Sequence, residues 1–148
     1  MMVIIDDGGR KAAGYLGGTG DCVCRAIAIA TERPYGEIYD ELARLNAGMR
    51  KTARRSKTVG TYTAARGIYT RSVPFRRYMA SLGFTWTPTM AIGTGCRVHL
   101  RRHELPKQGR LVVMVSKHAT AVIDGVLFDT HDPTRGGTRC VYGYWSRP

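Results

Sequence analysis

The dipeptide Asp124-Gly125 constrains this chain more than any other feature, because it sits between two runs of apolar and β-branched residues, Ala119-Thr120-Ala121-Val122-Ile123 and Val126-Leu127-Phe128. A type I′ turn needs positive φ at both central positions, which Asp-Gly tolerates, so the segment predicts a two-residue β-hairpin. That turn also fixes register: Ile123 opposes Val126, Val122 opposes Leu127, Ala121 opposes Phe128 and Thr120 opposes Asp129. Side chains alternate faces along a strand, so His118, Thr120 and Val122 share one face with Leu127 and Asp129. Asp129 then lies diagonal to His118, within hydrogen-bonding reach. An imidazole held by a carboxylate is a base and acid whose tautomer and ring angle are fixed.

A base needs a nucleophile, and the stretch Gly20-Asp21-Cys22-Val23-Cys24-Arg25-Ala26-Ile27-Ala28-Ile29-Ala30 offers one. It changes from a glycine-rich loop to helix formers, which puts Cys22 near the first helical turn. Unpaired N–H groups and the positive end of the helix dipole lower a thiol pKa there, and the thiolate is the reactive form. Cys24 competes for the role, but it points about 200° round the helix from Cys22, so only one of the two can face His118. Cys22 is preferred because it is nearer the helix start. A cysteine in a partly apolar helix also has a plain reading as a small buried hydrophobe. Asp132, in Asp129-Thr130-His131-Asp132-Pro133, rivals Asp129 as orienter; a continuing strand puts it on the opposite face, and a bulge near Pro133 reverses that.

The Gly-Asp-Cys-x-x-Arg-Ala helix start followed by a late His-x-x-Ala-Val-x-Asp-Gly hairpin ending in Asp-Thr resembles the small papain-like cysteine peptidases, including forms found in phage genomes. The resemblance covers two blocks, roughly Gly18 to Leu45 and Leu111 to Trp145. It implies an α+β, papain-like fold with N-terminal helices packed on a C-terminal, mostly antiparallel sheet. It also implies a catalytic triad of Cys22, His118 and Asp129 acting on an amide bond. Such enzymes usually carry a Gln or Asn before the nucleophile as oxyanion donor, and Ala13 to Gly20 contains neither. The Cys22 backbone N–H and Thr19 are the donors expected in its place.

The remaining pattern is that of a single domain over residues 1–148. Its length is near the commonest domain size, and 43% hydrophobic residues suffice for a core. Helices are expected from Cys22 to about Thr31, from Pro34 through Tyr35, Ile38, Tyr39, Leu42 and Leu45, and from a Ser72 cap through Phe75, Tyr78, Met79 and Leu82 to a Gly83 stop. Strands are expected at Phe84 to Thr87, Arg97 to Leu100, Leu111 to Ser116, the hairpin, and Arg139 to Trp145. Tyr142-Gly143-Tyr144-Trp145 is expected to close the core rather than to form an exposed aromatic surface. The Met-Met-Val-Ile-Ile start meets Asp6-Asp7 at once and is far too short for a signal peptide or a membrane span. A cytoplasmic protein is therefore expected, in the host cytoplasm for a phage-encoded member. In that reducing compartment Cys22, Cys24, Cys96 and Cys140 stay as thiols. Zinc on these cysteines with His99 and His103 is disfavoured, because Cys-x-Cys is not the usual knuckle spacing. No cofactor is expected, and the lack of a Gly-rich loop followed by Lys-Ser or Lys-Thr argues against nucleotide hydrolysis.

Charge adds a second possible role. The formal net charge is +12, from 23 Lys plus Arg against 11 Asp plus Glu, so anions are the favoured partners. The basic segment at 50–77 holds Arg50, Lys51, Arg54, Arg55, Lys57, Arg66, Arg71, Arg76 and Arg77 with no acidic residue, and Tyr62, Tyr69 and Phe75 are interleaved. Arginine with neighbouring aromatics can hold phosphates and stack on bases. The segment therefore has two functional readings: recruitment of an acidic protein or peptide substrate, or nucleic-acid binding by a protein whose thiol is structural or degenerate. It also reads plainly as a solvated basic face.

Overall fold

Asp124 and Gly125 both take positive φ, +48° and +80°, in the computed structural model. The hairpin they close keeps the expected register of Ile123 with Val126, Val122 with Leu127 and Ala121 with Phe128. The structure describes residues 1–17, 20–50 and 59–148. In chain order these form β1 (Val3–Ile5), α1 (Cys22–Thr31), α2 (Tyr35–Gly48), α3 (Val73–Ser81), β2 (Thr85–Pro88), β3 (Arg110–Val115), β4 (His118–Ile123), β5 (Val126–Asp129) and β6 (Val141–Arg147), with a 3-10 turn at Arg102–Glu104. The class is α+β: three described helices pack on a six-stranded mixed sheet of order β1-β5-β4-β3-β6-β2.

The sheet departs from the expected C-terminal one in its first strand. The Met-Val-Ile-Ile run, read from sequence only as too short for a span, adds β1 parallel to β5, with Val3 beside Leu127 and Ile5 beside Asp129. The other four strand pairs are antiparallel. The expected strand at Arg97 to Leu100 shrinks to one bridge between His99 and Cys140.

Alternation along the central strands divides the apolar residues between two cores. Val112, Ala119, Ala121 and Trp145 join the cluster that contains the helices, whereas Leu111, Val113, Val115, Val122, Leu127 and Val141 pack with Leu100 and Leu105 in a second. Small side chains on both partners, Ala26, Ala28 and Ala30 of α1 and Ala119 and Ala121 of β4, are all buried in the first cluster and let helix and strand approach closely. Ser72 caps α3 by accepting from the Phe75 N–H at 3.2 Å, as its sequence position suggests. Gly83 follows the helix with φ +85°.

Cys96 and Cys140 are joined in a disulfide, which corrects the expectation of four free thiols. The bond follows from local pairing. Leu100 N–H donates to Arg139 O and Val141 N–H to Val98 O, each at 2.8 Å. Those bonds lay the two segments side by side and bring the cysteine Cα atoms to 5.8 Å, inside the usual disulfide range. Both sulfurs are thereby withdrawn from the zinc grouping considered above. Among the described residues, no helix is long and apolar enough to cross a membrane.

Candidate active site

Cys22 is the first residue of α1, and Asp21 precedes it as N-cap without a side-chain capping bond. Helix geometry leaves the N–H groups of this first turn unpaired within the helix, so the Cys22 sulfur lies at the positive end of the dipole. It is hydrogen-bonded to His118, at the start of β4, and to the backbone of Ala119. The opposite ring nitrogen of His118, Nε2, lies 2.6 Å from Asp129 Oδ2. Asp129 ends β5, is 4% exposed, and also accepts the Thr130 N–H at 2.7 Å. The three residues singled out from sequence thus form one chain of hydrogen bonds, with Nε2 on the carboxylate and Nδ1 left for the sulfur.

The protonation states follow from these contacts. Burial pushes the Cys22 thiol up, but the hydrogen bond and positive charge of His118, the Ala119 backbone and the Arg25 charge together bring it below the ordinary thiol value. Burial pushes His118 down, yet its bonds to Asp129 and Cys22 prevail and raise it to about 9. Asp129 is held below the usual carboxylate value because the His118 hydrogen bond and charge outweigh its burial. A lowered thiol beside a raised imidazole favours a thiolate–imidazolium pair near neutral pH.

The rival residues are placed elsewhere. Cys24 is buried, its Sγ 3.9 Å from the Tyr35 carbonyl oxygen, and burial pushes its thiol up to about 12. Asp132 accepts from the Thr134 N–H at 2.8 Å and the Thr134 hydroxyl at 2.7 Å, which makes it a turn former. Thr19, expected as a second oxyanion donor, lies outside the described residues, as do Lys51, Arg54, Arg55 and Lys57 of the basic segment. Phe75 is fully buried and packs edge-on against Trp145 at 6.1 Å, so it is a core residue and not a stacking platform for bases. Trp145 is likewise core, while Tyr142 is half-exposed.

Two groups around the triad escaped the sequence reading. Arg25 is 3% exposed, forms a buried ion pair with Asp21, and brings Nη2 to 3.9 Å from Asp129 Oδ1. Asp21 also accepts from the Tyr35 hydroxyl and stands 3.0 Å from Arg10 Nε. This network ties the entry loop, α1 and α2 together. The signal was present: Asp21 and Arg25 are opposite charges four residues apart at the head of an otherwise apolar helix. The second group is His131, whose ring lies 5.2 Å from that of His118 and whose Nδ1 is 4.0 Å from Asp129 Oδ1.

Cys22 and His118 open into a cleft of about 1050 Å³, at the upper end of the range for small-ligand cavities. Trp86, Met90, Ile92 and Tyr142 are among its apolar lining residues, and Arg66, Arg71, Arg76 and Lys117 among its basic ones. Gly143 sets the Trp86 position, because a Cβ there would come within 2.4 Å of the indole ring. No protein-family model, curated protein or solved structure matches this chain.

Proposed function

We propose that this chain is a papain-like thiol hydrolase, a peptidase or isopeptidase, with Cys22 as nucleophile, His118 as general acid and base, and Asp129 as orienter. The observation that carries the reading is the continuous hydrogen-bonded chain Cys22–His118–Asp129 at the floor of an open cleft, with the thiol pKa lowered and the imidazole pKa raised. The likeness in residue order and helix start to small papain-like peptidases of phage type supports it.

In this mechanism the Cys22 thiolate attacks the amide carbonyl carbon, a sulfur–carbon bond forms, and the charge moves to the carbonyl oxygen beside the Cys22 N–H. The imidazolium of His118 gives its proton to the amide nitrogen, the carbon–nitrogen bond breaks and the amine leaves. Water then gives a proton to His118 and its oxygen to the thioester carbon. The sulfur–carbon bond breaks, and the acid and the thiolate are released. An amine in place of water gives acyl transfer with the same groups. Asp129 keeps Nε2 occupied, so the imidazole can turn only Nδ1 toward sulfur.

The test is the pH dependence of alkylation at each cysteine of the folded protein, read by mass spectrometry. Cys22 is expected to react with a pKa below the ordinary ~8.5 and to lose that advantage in His118→Ala, with Cys24 inert. A Cys22 that titrates as a free thiol sinks the proposal. The second reading, a nucleic-acid-binding protein with a degenerate thiol site, is favoured by the exposed Arg66, Arg71 and Arg76. It predicts binding with a steep salt dependence that Cys22→Ala leaves intact.

A further inference from the structure

The walls of the cleft narrow the substrate class, on the premise that the site is a thiol hydrolase. Arg66, Arg71, Arg76 and Lys117 are all exposed, and none stands in an ion pair with a described carboxylate. Several cations outside the cleft do have such a partner: Arg33 stands beside Glu37, Arg44 beside Glu41, Arg101 beside Glu104 and Arg110 beside Glu32. Among the described residues no Asp or Glu lines the cleft. Four like charges therefore converge on one concavity with no counter-charge of the protein's own, and their field concentrates anions there.

The other wall selects against a bare polyanion. Ile92 is fully exposed, Tyr142 half-exposed, and Met90 and Trp86 extend the same apolar strip. Water leaves this strip favourably only if an apolar side chain takes its place. Trp86 and Tyr142 carry aromatic faces, but Met90 and Ile92 do not, and a nucleic acid brings no peptide bond to the Cys22 sulfur. The one occupant that meets both walls and also brings an amide to the Cys22 sulfur is a polypeptide.

We propose that the substrate is an extended acidic peptide segment. A large apolar side chain beside the scissile carbonyl lies on Trp86, Met90, Ile92 and Tyr142, and flanking Asp or Glu side chains meet Arg66, Arg71, Arg76 and Lys117. The scissile bond then lies at Cys22, which lines the same cleft as both groups of residues. Acidic partners are drawn in by long-range attraction, and the apolar contact sets which bond is cut.

The experiment is affinity selection of a random heptapeptide mixture on the full-length Cys22→Ala protein, which holds substrate uncut, followed by sequencing of the retained pool. The pool is expected to be enriched in Asp and Glu around one Leu, Ile, Met, Phe or Tyr. A peptide from it is expected to bind the Arg71→Glu, Arg76→Glu double variant roughly ten-fold more weakly, about 1.4 kcal/mol. Arg71→Gln with Arg76→Gln gives a smaller loss in the same direction, with circular dichroism reporting the fold of both. A retained pool without acidic enrichment overturns the proposal, and so does tighter binding of oligothymidine of matched charge. The underlying catalytic reading fails separately: Cys22 then alkylates as an ordinary thiol in the wild-type protein while acidic selection persists. Unselective retention with an acidic Cys22 removes the substrate class and leaves the hydrolase.

Discussion

The two ends of the β4–β5 hairpin are joined by the same three residue pairs and do different work. At the closed end, Asp124 and Gly125 hold positive φ, and the Asp124 carboxylate accepts the Gly109 N–H at 2.8 Å, which anchors the turn to the start of β3. Everything there is conformation. At the open end His118 and Asp129 face each other at 2.6 Å and face Cys22, and there two ionisable groups share a partly buried site. The closed end fixes which residues meet; the open end uses the meeting. Substitutions should therefore separate cleanly into those that change chemistry and those that change folding.

The largest effects belong to the open end. Cys22→Ala is expected to reduce turnover on any cleaved peptide by ~10⁴-fold or more, and His118→Ala by a similar factor, since members of a catalytic unit fail together. Thermal melting should stay close to wild type, because Cys22 is only half-buried and packs at the margin of the helical core rather than inside it. Cys24→Ala supplies the contrast on the same helix: it removes a buried side chain, lowers stability by ~1 kcal/mol, and leaves turnover per folded molecule unchanged. Loss of turnover in Cys24→Ala and retention in Cys22→Ala would reverse the assignment.

Next comes Asp129→Asn, which keeps the shape and removes the charge. In the proposed mechanism turnover needs the thiolate of Cys22 and the proton on His118, so the rate should rise with pH through the lowered Cys22 value and fall through about 9 as His118 is deprotonated. Taking the charge from residue 129 removes a cause that raises His118, so the falling arm moves to lower pH and the maximum rate drops ~100-fold or more. The same groups set stability. His118 is raised above its ordinary 6.5, so its contribution is fully present below about 6.5 and is lost as pH rises through about 9. Asp129 is lowered, so its contribution is present above its ordinary 3.8 and is lost as pH falls below that. Urea midpoints across pH 3 to 10 should decline at both ends, and less at the alkaline end in Asp129→Asn. A falling arm that stays near 9 in that variant would exclude Asp129 as the orienter.

What was legible in the sequence follows the range of the interaction that decides it. The hairpin register was legible because a two-residue turn settles it locally, and the α1 start was legible because loop and helix composition change within three residues. The pairing of His118 with Asp129 then follows by counting along two strands. β1 was hidden because three residues carry almost no periodicity, and its partner β5 is more than a hundred residues away. The Cys96–Cys140 bond was hidden for the same reason: it depends on a loop laid against β6 across 44 residues. The cleft walls come from segments around Arg66, Arg76, Trp86 and Ile92, whose convergence is a property of tertiary packing. Charge counting found the cations but not their shared concavity, and it offered Phe75 as a base platform although the core claims it.

The smallest effect on chemistry is expected at the closed end, and it tests the comparison most directly. Gly125 has φ +80°, where any other L residue is strained, so Gly125→Val should cost about 1–2 kcal/mol of stability. The Cβ itself is crowded only by Arg102, with Nε at 3.3 Å and Cγ at 3.6 Å, an exposed side chain that can move aside, while the Lys107 carbonyl oxygen at 3.8 Å is an ordinary contact. Strain should then stay at the tip, because the three residue pairs between it and the site are held by β3 on one flank and β1 on the other. Chemical denaturation should show the lower midpoint, while the Cys22 alkylation pKa and turnover per folded molecule stay within about two-fold of wild type. A change of ten-fold or more in either, in protein that is still folded, would mean that register is not held by the neighbouring strands. The turn would then be part of the catalytic apparatus, and the division between the two ends would fail.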